Sequence, residues 1–245
     1  MGPAFEPQMV ALFRALIRPD MVIADVGANI GMTAILFSTL ARQVYSFEPS
    51  PSTFALLRQN VAVAGARNVE CVNIGLGEVP QRKTITFQTQ NRSGGFVSDN
   101  IRPDLGYTTE DIDIGTLDSF FYTGRPRPDF IKMDVEGFEP KVIRGARTLI
   151  DAQKPTVVLE LNHFCLNVFQ RVTIPDFLDL LKDIFPIVIA VDTDNRQLAD
   201  VHHPDTAYSV MHAHVTQFRF PNVVCGFDPA IRDGLARLSA AANAQ

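Results

Sequence analysis

Met21-Val22-Ile23-Ala24-Asp25-Val26-Gly27-Ala28-Asn29-Ile30-Gly31 is the stretch that decides the fold. An apolar run closes on a carboxylate, Asp25, and two glycines follow, four residues apart. Apolar residues then continue through Leu40. The pattern predicts a buried strand, a tight turn and a helix. Gly27 allows the turn, and Gly31 allows a helix to approach closely. A dinucleotide pyrophosphate calls for G-x-G-x-x-G, with a second glycine early in the turn. Asn29 stands at that place, so the turn suits a ligand without a phosphate. Asp25, ending the strand, is a carboxylate placed to meet a ligand's ammonium group.

Working outward, Val44–Phe47 predicts a second strand, ending at Glu48-Pro49-Ser50. Ser50 followed by Pro51 is a helix cap with proline at the first helical position. Phe54, Leu57 and Val61 share the face of the helix that follows, and Gly65 ends it. Val69–Ile74 predicts a third strand. Lys83–Gln88 and Ile112–Leu117 predict antiparallel strands, with Asn91–Gly95 a loop between them. Asp129–Met133, Thr156–Leu161 and Ile187–Val191 predict further strands. They alternate with helices at Pro140–Ile150 and Pro175–Phe185. Tyr208–Ala213 and Val223–Phe227 predict closing strands before a helix at Ala230–Ala241. Strand alternating with helix implies an α/β fold. Its central sheet is mostly parallel, with helices on both faces and a small antiparallel insertion after the third strand. The expected organisation is one domain over residues 1–245. It has a short N-terminal helix at 5–18, a cofactor-binding half at 19–137 and an acceptor-side half at 138–245.

In such sheets ligands bind beyond the carboxyl ends of the strands, and four polar features fall there. The first is the Asp25–Gly31 turn. The second is Glu48, whose carboxylate can accept both hydroxyls of a ribose. The third is Asn73-Ile74-Gly75-Leu76-Gly77, where Asn73 could read an adenine edge and Leu76 cover its face; a plain turn explains the same residues. The fourth is Lys132-Met133-Asp134-Val135-Glu136-Gly137, two carboxylates at one strand end. The expected cofactor-binding set is Asp25, Gly27, Ala28, Asn29, Gly31, Glu48, Pro49, Asn73, Gly75, Leu76 and Asp134.

The segments DVGANIGMTAILFS, VYSFEPSPSTFALLRQNV, VNIGLGE, GTLDSF, PDFIKMDVEGFEPKVIRGA and KPTVVLELN resemble, in order and spacing, the FkbM family of methyltransferases. The resemblance covers about Ile17 to Asn162. It implies a class I, S-adenosylmethionine-dependent Rossmann-like fold. It also implies O-methylation of a hydroxyl on a sugar, a polysaccharide or a secondary metabolite. The stretch before the first strand is short, so any N-terminal region covering the substrate is expected to be reduced. The last third of the chain matches no block of the family.

Methyl transfer from a sulfonium is an in-line displacement in which the acceptor atom must be aligned. A neutral alcohol is a poor nucleophile, so a base or a metal is expected to help. Asp134, His163 and Glu136 are the catalytic candidates. Asp134, Glu160 and Asn162 are oxygen ligands suited to Mg²⁺; hydrogen bonding of Glu160 within the fold explains the same residues. His202, His203, His212 and His214 lack a companion carboxylate or cysteine cluster and are taken as loop and strand residues. A dinucleotide oxidoreductase and a SAM-binding module without catalysis are the competing readings.

Composition bounds the partners. The net charge is −5, with no basic run to neutralise phosphates, so nucleic acid is not an expected partner. Cys71, Cys165 and Cys225 are far apart and odd in number, which favours a reducing cytoplasm. No apolar run reaches membrane-spanning length. The expected partner is a small-molecule or glycan hydroxyl acceptor, and the oligomeric state is open.

Overall fold

The computed structural model describes residues 6–99, 101, 106–194 and 197–240. In chain order the first elements are α1 (Pro7–Leu16), β1 (Val22–Val26), α2 (Met32–Ser38), β2 (Gln43–Phe47), α3 (Pro51–Val63) and β3 (Val69–Val72). Next come β4 (Gly75–Leu76), β5 (Gln81–Gln88), β6 (Asn91–Val97), β7 (Tyr107–Gly115) and α4 (Leu117–Tyr122). These lead into β8 (Phe130–Met133), α5 (Glu139–Arg144), α6 (Arg147–Gln153), β9 (Thr156–Glu160), a short α7 (His163–Cys165) and a π-helical turn at Leu166–Gln170. The chain continues through α8 (Ile174–Ile184), β10 (Ile187–Asp192), β11 (Gln197–Asp200), α9 (Pro204–Gln217), β12 (Asn222–Gly226) and α10 (Ala230–Ala240).

Eight strands form one sheet in the order β11-β10-β12-β9-β8-β1-β2-β3. The run from β9 to β3 is parallel, and β12 is inserted antiparallel between β9 and β10. Consequently the carboxyl ends of β1, β2, β8, β9 and β10 meet the amino end of β12 along one edge. β1, β10 and β12 are buried along their whole length, as strands covered on both faces must be. On one face Phe13 of α1 meets Phe37 and Phe130 edge to face, with ring centroids 4.9 and 6.2 Å away. The insertion after β3 is a second sheet, β4-β7-β5-β6, standing over the same carboxyl edge.

Several expectations change. Asn91–Gly95 belongs to strand β6, not a loop. Glycine there is compatible with a strand whose backbone comes close to another element: a Cβ on Gly94 would lie 3.8 Å from Glu136 Oε1. Tyr208–Ala213 is helical within α9, because Ala207, Val210 and His214 follow helical spacing and are the buried residues. The helix expected over Pro140–Ile150 is divided at Gly145, where a Cβ would come within 1.9 Å of Gly77 O. The third strand stops at Val72, and the chain crosses into the insertion at Gly75. Phe5 and Ala241, the outer limits of two expected helices, lie outside the described residues. No helix among the described residues is long and apolar enough to cross a membrane.

Candidate active site

The turn after β1 is fixed from both sides. The Gly27 and Ala28 N–H groups both donate to Phe47 O, at 3.1 and 2.9 Å. Gly27 has φ +79°, and a Cβ there would sit 1.9 Å from Asp134 O, so the β1 and β8 turns touch backbone to backbone. Gly31, at φ +95°, faces Leu57 of α3, which a Cβ would meet at 2.7 Å. Asn29 takes a left-handed backbone, φ 50°, and its N–H donates to Glu48 Oε2 at 3.1 Å.

Glu48 therefore joins two turns. Its other oxygen accepts from Ser50 N at 2.9 Å. Each carboxylate oxygen has a second acceptor position left. Burial pushes the Glu48 carboxyl up to about 7, against the two backbone N–H groups that favour its charged form. Ser50 caps α3, accepting from Thr53 N at 3.2 Å.

Asp25 lines neither of the cavities described below. It is fully buried, and its Oδ2 accepts from Thr33 Oγ1 at 2.9 Å. Its Oδ1 lies 3.6 Å from Lys132 Nζ and has no hydrogen-bond partner. Burial outweighs the nearby ammonium and raises the Asp25 carboxyl above its ordinary range. Asp25 pairs across the sheet with Lys132, so the two side chains share a face. Lys132 donates to Gly27 O at 2.9 Å and lies 3.6 Å from Asp134 Oδ2. Burial disfavours its ammonium, but Asp134 and Asp25 outweigh that and raise its pKa. The lysine thus links both turns and both carboxylates.

Asp134 is half-exposed at the end of β8. Glu136 follows with a left-handed backbone, φ 52°. Its Oε2 accepts from Cys165 Sγ at 3.1 Å, and burial raises its carboxyl. Glu139, which sequence reasoning passed over, closes this turn. It is buried and accepts from Val135 N at 2.9 Å, and burial pushes it up to about 8. Its signal was an acid immediately before a proline at a helix start. Burial raises the Glu160 carboxyl well above the usual range, and Asp134, to which it hydrogen bonds, raises it further.

Two cavities open along this edge and share Gly27, Asn29, Asp134 and Glu136. The first, about 800 Å³ with its open mouth, lies under the insertion. It is lined by Glu48, Pro49, Gly75, Leu76 and an apolar wall that includes Ile112, Ile114 and Phe138. The second, about 1390 Å³ on the same measure, lies toward α1 and is lined by Ala28, Thr33, Lys132 and Glu160 among others.

The remaining candidates lie elsewhere. Asn73 lines neither cavity; its Nδ2 donates to Glu48 O and Pro49 O, at 2.8 and 3.0 Å, and ties down the β2 turn. Asn162 Oδ1 caps α7, accepting from Cys165 N at 3.2 Å. His163 lines neither cavity. Its ring packs on His214 and Phe218, with centroids 5.1 and 5.6 Å away. The Mg²⁺ set is not assembled. Asn162 spends its oxygen on the helix, Glu160 hydrogen bonds Asp134, and no group of three His, Cys, Asp or Glu side chains suited to a metal occurs among the described residues.

A family model described as the Methyltransferase FkbM domain matches residues 25–185. The chain belongs to the FkbM methyltransferase family. That match runs from Asp25 to the end of α8 and takes in the lining of the first cavity and part of the second. Among curated relatives of the FkbM chain is the hexuronic acid methyltransferase AglP of Haloferax volcanii. It is 28% identical over 154 residues, covering 62% of this chain and 61% of that one. The 31-O-demethyl-FK506 methyltransferase FkbM of Streptomyces tacrolimicus is 29% identical over 171 residues, covering 58% and 64%. The chain thus spans about three-fifths of the length of the curated relatives it matches. A putative rRNA-methylase from Clostridium thermocellum has the same fold, with TM-score 0.50 and 8% identity over 91% of this chain and 95% of that one. The architecture is that of class I SAM methyltransferases, a mostly parallel sheet with helices around it.

Proposed function

We propose that the chain transfers the methyl group of S-adenosylmethionine to a hydroxyl oxygen of a small molecule or glycan. One observation carries this reading: Glu48 and Asp134 stand on either side of the Gly27–Asn29 turn and line one continuous crevice. The residues present fit the adenosyl group. Glu48 keeps two acceptor positions for ribose hydroxyls beyond those used by Asn29 and Ser50. Pro49, Leu76 and Phe138 offer an apolar slot for a base. Gly27, without a Cβ, lets the β1 and β8 turns close on each other where the two cavities meet. When bound, S-adenosylmethionine supplies a methyl group already activated by the sulfonium charge.

The chain's part is alignment and proton handling. Lys132 Nζ lies 3.6 Å from Asp134 Oδ2 and fixes the position of that carboxyl at the mouth of the crevice. Asp134 orients the acceptor hydroxyl and takes its proton, and Glu136 supplies a second carboxyl at the junction of the cavities. An oxygen acceptor agrees with the name of the relative that acts at a 31-O position, and a glycan acceptor with the name of the one that acts on a hexuronic acid. The test is incubation of the purified chain with S-adenosylmethionine and a panel of hydroxyl compounds, read by mass. Gain of one methyl group on oxygen is the expected product. Cofactor binding without transfer to any hydroxyl would favour a binding module.

A further inference from the structure

Beside Asp134 the carboxyl edge carries further polar residues that none of these roles uses. Val158 pairs with Lys132 on one side and with Val224 on the other. Two residues further along, the same pleat face holds Asp134 on β8 and Glu160 on β9. Because β12 runs antiparallel, Asn222 lies directly opposite Glu160. Asn222 also pairs with Val191 of β10, and Thr193 follows two residues later. Asp134, Glu160, Asn222 and Thr193 all line the larger cavity.

Asn222 and Thr193 are only 8% and 7% exposed. Neither side chain hydrogen bonds to any described residue. Both residues line the open cavity, so their amide and hydroxyl are left to bond a molecule that enters it. An amide offers two donors and an acceptor, and a hydroxyl offers one donor and acceptor lone pairs. Side by side with the Glu160 carboxyl, they match neighbouring hydroxyls on a ring. An apolar alcohol would leave the amide unpaired, which sites of this kind reject strongly. Lys132, the one cation among the described residues lining this cavity, already lies 3.6 Å from both Asp25 and Asp134, so an anion finds no free cation there.

We propose that Asn222 and Thr193, beside Glu160, form the acceptor subsite, and that the acceptor presents adjacent uncharged hydroxyls there, as a neutral sugar or cyclitol does. The inference rests on the methyl-transfer reading for its reaction, but its binding test stands apart. Thr193→Val and Asn222→Leu remove no hydrogen bond within the protein, so Tm is expected to hold or rise. A structural role would lower it by about 2–4 °C, the effect of one lost hydrogen bond in a chain of this size. Binding is read by ligand-observed NMR on the full chain with S-adenosylhomocysteine present. The probes are myo-inositol, methyl α-D-glucopyranoside, cyclohexanol and D-glucuronate. At least one neutral polyol should bind about tenfold more tightly than cyclohexanol and glucuronate, and lose about tenfold in each variant. Absence of polyol binding, tighter binding of glucuronate or cyclohexanol, polyol binding indifferent to both variants, or a lowered Tm overturns the proposal. Titration of S-adenosylhomocysteine into the same samples separates the two readings. Polyol binding without S-adenosylhomocysteine binding fails the methyl-transfer reading alone. S-adenosylhomocysteine binding with polyols indifferent to the variants fails the subsite alone.

Discussion

Gly27→Ala tests the contact on which the crevice is built. Gly27 has φ +79°, a region that costs an L-residue about 1–2 kcal/mol. The added Cβ would also lie 1.9 Å from Asp134 O. That oxygen is backbone and cannot swing away, because Asp134 N is held to Val26 O at 3.1 Å. Overpacking of this kind costs about 1–3 kcal/mol, giving a total of about 2–5 kcal/mol. At about 2–4 °C per kcal/mol for a chain of this size, Tm should fall by roughly 4–20 °C. Gly65→Ala is the internal control: φ is +66°, but nothing lies within 4 Å of the added Cβ. Only the backbone cost of about 1–2 kcal/mol remains there. Thermal unfolding of both variants by circular dichroism measures the difference. Equal Tm values for the two variants would refute the argument that β1 and β8 are packed backbone to backbone at the site.

Asp134→Asn should keep the fold and lower kcat at least about tenfold, the low side of general-base effects; steady-state kinetics near wild type would remove the catalytic role. Lys132→Met leaves the fully buried Asp25 without its cation and should cost about 3–5 kcal/mol, and a urea-unfolding loss under 1 kcal/mol would contradict that pairing. Glu48 and Glu139 titrate near 7 and 8 in the folded chain, above their unfolded values. Their contribution to stability is therefore complete below about pH 4 and is lost as pH rises through those values. Tm should fall from pH 5 to pH 9, and Glu139→Gln should flatten the slope; an unchanged slope would show that Glu139 is not the group titrating.

The parts of the fold legible in sequence were those where one local rule governs. The β1 turn, the Ser50-Pro51 helix start and the order of the parallel strands follow from apolar runs and turn residues. The errors arose where distant contacts decide. Asn91–Gly95 read as loop because it becomes a strand by antiparallel pairing with β5, which its own turn-forming residues do not signal. Tyr208–Ala213 read as a strand because its short apolar run is compatible with either period until its buried face is known. At the site, the types of residue were visible but not their partners. Asp25 and Asn73 sit at strand ends, yet their hydrogen-bonding capacity is turned inward to Thr33 and the β2 turn. Asn222 was invisible because its place opposite Glu160 comes from the antiparallel insertion of β12, which no local pattern encodes.

The most direct test of the central claim is calorimetric titration of S-adenosylmethionine into the wild-type chain, Glu48→Ala and Asp134→Asn. The account predicts saturable one-to-one binding to the wild type. Glu48→Ala should weaken it at least about tenfold, the loss of one charged hydrogen-bond acceptor, while Asp134→Asn retains it. No binding to the wild type, or undiminished binding to Glu48→Ala, would contradict the account.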